Sequence, residues 1–298
     1  MAGIPRELVD AYRRCEQLAT RRLENFPVLS EYLPAELIPH FAAVYAYCRR
    51  ADDAGDESPS PAQALAALDE LEAEVHRCFD GTPKTPEMAA LAHTIAVKRL
   101  PKQPFLDLLS AFRQDQTKTR YESWEELLNY CKRSADPVGR LVLALLGEAP
   151  SDERKGALSD AICTGLQMAN FWQDVGPDLK KGRIYIPADL MARHGVREAD
   201  LAAASASPAL RAALKDLCDR TDPLFSRGAA LADLVEKKLR IPILAFAIAG
   251  QELLKRIREV DYDVLARRPS AGDLPLKTIL AKAAAARFLP FFRPKSAP

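Results

Sequence analysis

The stretch FAAVYAYCRRADDAGD, Phe41 to Asp56, decides how the rest of the chain is read. Set on a helix at 100° per residue, it brings Tyr45, Arg49, Asp52 and Asp56 within about 60° of one another. One helix face thus carries a phenol, a guanidinium and two carboxylates at i, i+4. Like charges at that spacing cost a helix roughly 0.2–0.5 kcal/mol. Asp is also a poor helix-interior residue, because its side chain competes for backbone hydrogen bonds. The pattern therefore does not serve helix stability.

The stretch Cys163 to Asp178 repeats the design. On a helix, Gln167, Asn170, Asp174 and Asp178 fall within about 80°. Met168, Phe171, Trp172 and Val175 stand beside them, so a purely solvated face is a poor account. Carboxylates in partly apolar surroundings need a counter-charge. Mg²⁺ suits the role, since it takes one or two carboxylates per ion and completes its shell with water and phosphate oxygens. A single D-x-x-x-D reads first as a solvated helix end. Two of them, each with neutral hydrogen-bonding groups in register, leave two equal readings on spacing alone: solvated faces, or a metal–diphosphate site in which the two stripes converge across a cleft. Arg49 lies on the first stripe, and Lys180, Lys181 and Arg183 follow the second. A guanidinium binds phosphate oxygens bidentately, which favours Arg49 and Arg183. The two lysines read as charges complementing a helix C-terminus. Neither G-x-x-x-x-G-K-[ST] nor G-x-G-x-x-G occurs, so metal and side chains must hold the phosphate.

The surrounding chain supports an all-helical frame. Its 298 residues include only 13 glycines and are rich in Ala, Leu, Glu and Arg. No long stretch alternates apolar and polar residues. Ser60-Pro61, Thr85-Pro86, Asp136-Pro137 and Ser207-Pro208 each read as an N-cap before a proline at the first helical position. Ser123 with Glu126 reads as a capping box. The patterns predict helices at 5–23, 35–55, 61–79, 86–99, 104–118, 123–133, 136–147, 153–180, 207–239 and 241–260. Gly182 to Pro187 should be extended, because a proline moves the residue before it out of the helical region. With no repeat and no linker, a single all-α domain spanning 1–298 is the simplest account.

Composition narrows the function. A net charge of +1 gives no nucleic-acid footprint. Six scattered cysteines without C-x-x-C spacing, and no leader at the start, read as reduced thiols in a cytoplasmic protein. Four isolated histidines and no H-E-x-x-H argue against zinc. The longest apolar run, Ile241 to Gly250, is too short to span a bilayer and contains Pro242. The terminal Phe288-Leu289-Pro290-Phe291-Phe292-Arg293 mixes aromatics with a cation. Two readings stay open there: a docked tail, which is favoured, and peripheral contact with the inner face of a membrane.

At these residues the sequence resembles the squalene and phytoene synthase family, from about Tyr12 to Arg268. Tyr45 through Glu57 looks like its first Asp-rich motif. Tyr130 through Gly139 is similar to its central tyrosine motif. Gln167 to Asp174, with Asp178 to Arg183, Tyr185 and Pro187, resembles its second Asp-rich motif. The resemblance implies a class I isoprenoid synthase-like helical bundle around a central cleft. It implies that Asp52, Asp56, Asn170, Asp174 and Asp178 hold Mg²⁺ and the diphosphate. Arg49, Gln167 and Arg183 then bind substrate, Tyr45 and Tyr185 line its site, and Tyr130 faces a carbocation. The physical reading agrees, because a metal draws off pyrophosphate as a Lewis acid and aromatic faces stabilise cations.

Three departures mark a branch. Gln173 stands where the family usually has Arg or Glu, Cys163 where Gly is usual, and Asp136-Pro137 interrupts a stretch that is normally small and apolar. With Glu24-Asn25-Phe26-Pro27-Val28, these resemble the hydroxysqualene synthase branch of the bacterial hopanoid pathway. That branch takes presqualene diphosphate, quenches its cation with water, needs no NADPH, and implies transient contact with neighbouring pathway enzymes. The alternatives are head-to-head condensation of two prenyl diphosphates to presqualene diphosphate, dehydrosqualene or phytoene, a reductive NADPH-dependent squalene synthase, and a non-catalytic helical assembly factor.

Overall fold

A computed structural model of the chain describes residues 3–22, 34–269 and 276–288. All regular structure among them is helical, with no strand. Also among the described residues, no helix is long and apolar enough to cross a membrane. The fold gathers into two compact units, residues Met1–Thr117 with Arg133–Gly156, and Lys118–Lys132 with Ala157–Pro298.

The first unit is built on helices α1 (Val9–Arg22), α2 (Ile38–Asp56), α3 (Pro61–Phe79), α4 (Pro86–Lys98) and α5 (Gln103–Gln114). Ser60 and Thr85 cap α3 and α4 by accepting the backbone N–H of Gln63 and Met88. Each cap is worth about 1 kcal/mol, and the proline that follows it wastes no backbone donor. Helix α2 is the hub. One face places Phe41, Val44, Tyr47 and Ala51 against Leu68, Leu71, Leu91, Phe105 and Leu141. The opposite face, Ala42, Ala43 and Ala46, lets Tyr12, Cys15 and Ala19 of α1 approach closely. Burying each large side chain contributes about 1.5–3 kcal/mol. Because packing covers both sides of α2, its C-terminal end is where charged side chains reach solvent, and the first Asp stripe lies there.

Helices α6 (Trp124–Ser134) and α7 (Asp136–Leu145) follow, then α8 (Glu153–Gln173), α9 (Val175–Lys180), α10 (Ala188–His194), α11 (Pro208–Ala229), α12 (Arg240–Glu259) and α13 (Leu276–Phe288). In the second unit, Trp172 is fully buried and its Nε1–H donates to Thr221 Oγ1 at 2.9 Å. The ring of Phe225 passes between two glycines. A Cβ at Gly165 would meet it at 2.8 Å and one at Gly250 at 2.2 Å, so helices α8, α11 and α12 approach as closely as they do only with hydrogen at both places.

Several expected boundaries are corrected. The helix expected at 153–180 divides at Asp174, which leaves the helical region with φ −104° and ψ 20°. Pro177 explains this, because it has no N–H for the carbonyl of Gln173 and its ring crowds that carbonyl. The helix expected at 207–239 ends at Ala229, and two 3₁₀ turns follow, Ala230–Asp233 and Lys237–Leu239. Turning there buries Leu231, Val235 and Leu239, which outweighs local helix propensity. Asp136 is not an N-cap; Ala135 is, since the first turn closes from Val138 N–H to Ala135 O. Ser123 caps α6 as expected, but Glu126 reaches back to the N–H of Glu122. The helix expected at 104–118 stops at Gln114, and α10 and α13 were not foreseen. The piece expected to be extended from 182 to 187 is non-helical from Arg183 to Pro187, but Gly182, with φ +76°, belongs to the turn before it.

Candidate active site

The last turns of α2 hold the first stripe. Arg49 lies between carboxylates, with Nη1 2.8 Å from Asp52 Oδ2 and Nη2 2.9 Å from Glu57 Oε1, and it also pairs with Asp53. Burial works to lower the Arg49 pKa, but Asp53, Asp52 and Glu57 outweigh it and hold the guanidinium more firmly charged than usual. Its Nε is buried without a hydrogen-bond partner. Asp52 is half-buried and Asp56 exposed. Tyr45 packs, half-buried, against the alanine-rich face of the first unit. Cys48, half-buried on the same helix, has its thiol pushed up to about 12, first by burial and then by Asp52, and is inert as a nucleophile. Gly55 gives the stripe its footing. A Cβ there would lie 3.1 Å from the Phe112 ring, and Gln116 donates to its carbonyl at 3.0 Å. The sequence reading missed Asp53 and Glu57, although their spacing of four and eight residues from Arg49 was the available signal.

The second stripe lies in the second unit. Gln167 is half-buried and Asn170 exposed on α8. Asp174 Oδ1 accepts from Arg268 Nε at 2.5 Å and from Gln173 Nε2 at 3.2 Å. Arg268 had not been singled out; only the fold brings it to Asp174. Gln173 is 4% exposed, and its Oε1 has no hydrogen-bond partner. A buried acceptor without a donor costs about 1–3 kcal/mol. Lys180 and Lys181 are exposed, in keeping with charges at a helix end.

Asp178, Arg183 and Tyr185 meet at one recess, with Phe171, Val175, Ile184, Ile186 and Leu201 as its apolar walls. It measures about 200 Å³ counting the solvent at its mouth. Gly182, with φ +76°, makes the turn that sends Arg183 there, and the Arg183 N–H returns to Asp178 O at 2.9 Å. Behind the recess is a ring cluster. Phe171 stacks on Tyr185 at 3.8 Å, Tyr130 lies 6.0 Å from Tyr185, and Tyr121 lies 5.3 Å from Tyr130. All four rings are buried. Tyr130 and Tyr185 are thus together, while Tyr45 belongs to the other unit with Arg49, Asp52 and Asp56. Phe171 and Tyr121 join the set from the structure alone.

The donor chemistry of both stripes suits a hard cation. Among the described residues, no three His, Cys, Asp or Glu are gathered tightly enough to cage a metal ion. Open carboxylates of this kind, of which Asp52 pairs with Arg49 and Asp174 with Arg268, match the habit of Mg²⁺ of taking few protein ligands and filling its shell with water and phosphate. The segment Glu24 to Val28, used above as a branch marker, lies outside the described residues, as do Leu289 to Arg293.

Comparison with known proteins agrees with this picture. Residues 19–274 match the family profile of squalene/phytoene synthase. The chain is 36% identical over 246 residues to a hydroxysqualene synthase of Rhodopseudomonas palustris, covering 81% of this chain and 82% of that one. It is 38% identical over 244 residues to a hydroxysqualene synthase of Sinorhizobium fredii, covering 80% and 81%. Among solved structures, the squalene synthase HpnC from Alicyclobacillus acidocaldarius superposes with a TM-score of 0.82 at 42% identity, over 87% of this chain and 97% of that one. A dehydrosqualene synthase superposes at 0.84 with 26% identity, over 94% and 97%. With its matching profile, its relatives and its helical fold, the chain belongs to the squalene/phytoene synthase family.

Proposed function

We infer that this protein converts presqualene diphosphate and water to hydroxysqualene and diphosphate, a carbon–oxygen lyase reaction that needs Mg²⁺ and no NADPH. The observation that carries the reading is its similarity to two hydroxysqualene synthases over four-fifths of the chain. Gln173, neutral and buried against Asp174, supports it, because a site handling one diphosphate needs fewer cations. Asp52, Asp56, Asn170, Asp174 and Asp178 are the residues assigned to hold the metal and diphosphate. When bound, Mg²⁺ supplies Lewis acidity to the leaving group.

The chain's own groups then have separate tasks. Arg49 and Arg183 fork onto diphosphate oxygens, and Gln167 hydrogen-bonds beside them. Tyr130, Tyr185 and Phe171 offer ring faces to positive charge, and Tyr45 lines the site next to Arg49. Apolar walls keep out bulk water until the cation has rearranged. The chain, 1–298, is read as one catalytic domain. The protein works in the cytoplasm, with peripheral contact at the inner membrane face as the second reading, and with transient contact to neighbouring pathway enzymes.

The second reading is condensation of two prenyl diphosphates, supported by the match to a dehydrosqualene synthase structure and by phytoene synthases at 28–29% identity. Incubation with presqualene diphosphate and Mg²⁺ in ¹⁸O-labelled water, with and without NADPH, tests both. A labelled C30 alcohol in both tubes supports the first reading. Squalene formed only with NADPH, or farnesyl diphosphate consumed while presqualene diphosphate is untouched, overturns it.

A further inference from the structure

Arg183 reaches the recess from a glycine turn, and one peptide unit of that turn is gripped at both ends. The Arg183 N–H donates to Asp178 O at 2.9 Å, and the Gly182 carbonyl of the same unit accepts from Arg120 Nη1 at 2.6 Å. A peptide unit is planar, so anchors on its two opposite edges fix its tilt. That tilt sets the direction in which the Arg183 side chain leaves the backbone. Packing does not set it at Gly182, where φ is +76° and an added Cβ would meet nothing within 4 Å.

Arg120 is itself held in place. Its Nε and Nη2 donate to the two carboxylate oxygens of Glu198 at 2.8 and 3.0 Å. Its Nη1 also donates to Thr119 O at 2.9 Å, and that carbonyl accepts the Ile184 N–H at 2.9 Å as well. Glu198 opens the 3₁₀ turn Glu198–Ala202, whose Leu201 is a wall of the recess. One guanidinium thus ties the turn that carries Arg183 to the turn that carries Leu201. Only a planar fork presents donors in both directions at once. The Arg120 and Glu198 side chains are 38% and 57% exposed. An ion pair at that exposure adds little to stability, so what these bonds supply is direction.

We propose that Arg120 is a positioning residue for diphosphate binding, which aims Arg183 by holding the Gly182 carbonyl. This rests on the reading above that Arg183 forks onto diphosphate oxygens. A bidentate bond is weakened when its donor must first be ordered, so removal of Arg120 acts through Arg183.

The test measures binding of inorganic pyrophosphate in saturating Mg²⁺ by isothermal titration calorimetry. It compares wild type, Arg120→Met, Arg183→Gln and the double variant. Methionine keeps an unbranched stem and removes every donor. It should weaken binding about threefold to tenfold when Arg183 is present, the cost of ordering one long side chain. In the Arg183→Gln background the same change should cost less than about twofold, because the coupled partner is gone. An equal loss in both backgrounds, which a missing surface charge or a loosened fold would give, overturns the proposal. Wild-type affinity in Arg120→Met, with weak binding in Arg183→Gln, removes the role of Arg120 alone. If Arg183→Gln binds pyrophosphate as the wild type does, the reading of Arg183 fails and this inference falls with it. Should Arg120→Met not fold by circular dichroism, Arg120→Lys carries the same expectations, since a point charge cannot hold Glu198 and the Gly182 carbonyl together.

Discussion

Phe171 and Tyr185 lie face to face, with ring centroids 3.8 Å apart and planes 9° from parallel. One comes from the end of α8 and the other from the extended piece before Pro187. Their stack closes the back of the recess that holds Asp178 and Arg183. Such a pair is worth about 0.5–1.5 kcal/mol beyond the area it buries. Phe171→Leu should therefore lower stability by roughly 1–2 kcal/mol, read as a shift in the urea midpoint. It should also change the product profile, because a ring face is lost. An unchanged midpoint and profile would assign the stack to neither stability nor cation control.

Asp52→Asn and Asp174→Asn each keep size and polarity while removing a charge. Either should reduce turnover by at least about 100-fold with the far-ultraviolet circular dichroism of the wild type. Excess EDTA should do the same, and added Mg²⁺ should restore activity to the wild type alone. Full turnover in EDTA would refute the metal role.

Arg183 faces the recess beside Asp178. Arg183→Lys keeps the charge and loses the fork. A charge-assisted hydrogen bond contributes about 1.5–3 kcal/mol, so kcat/KM should fall roughly tenfold to a hundredfold. Wild-type kinetics in this variant would remove Arg183 from diphosphate binding.

His40 lies in a buried polar knot in the first unit, where its Nδ1 is 2.9 Å from Thr94 Oγ1 and 3.3 Å from Tyr12 Oη. His93 joins through Tyr12 Oη at 2.8 Å. Burial, with help from Lys98 and His93, lowers the His40 pKa to about 4. Burial lowers that of His93 too. Between the ordinary histidine value and about 4, the unfolded chain binds a proton that the folded chain refuses, so stability falls as pH falls through that window and is insensitive to His40 above it. The loss from His40 is on the order of 2 kcal/mol. Urea unfolding at pH 7.5 and pH 5 should show it, and His40→Gln should flatten the difference. Equal pH slopes for the two proteins would show that His40 titrates normally.

Much of this protein is legible in one dimension. Helix starts at Ser60, Thr85 and Ser207 were readable because a cap and a proline act within a few residues. The Asp stripes were readable because helical period alone aligns residues four apart. The break at Asp174 was signalled by Pro177, but the continuous polar and apolar pattern around it outweighed that signal. Other features needed the tertiary structure. Arg268 reaches Asp174 only because the chain after α12 folds back toward it, and nothing local in either segment encodes that pairing. The turns after Ala229 form because burial of Leu231, Val235 and Leu239 exceeds the small per-residue preference for helix. The unpaired oxygen of Gln173 is likewise a property of packing. Sequence shows which groups a residue carries, but whether each finds a partner depends on what long-range burial brings beside it.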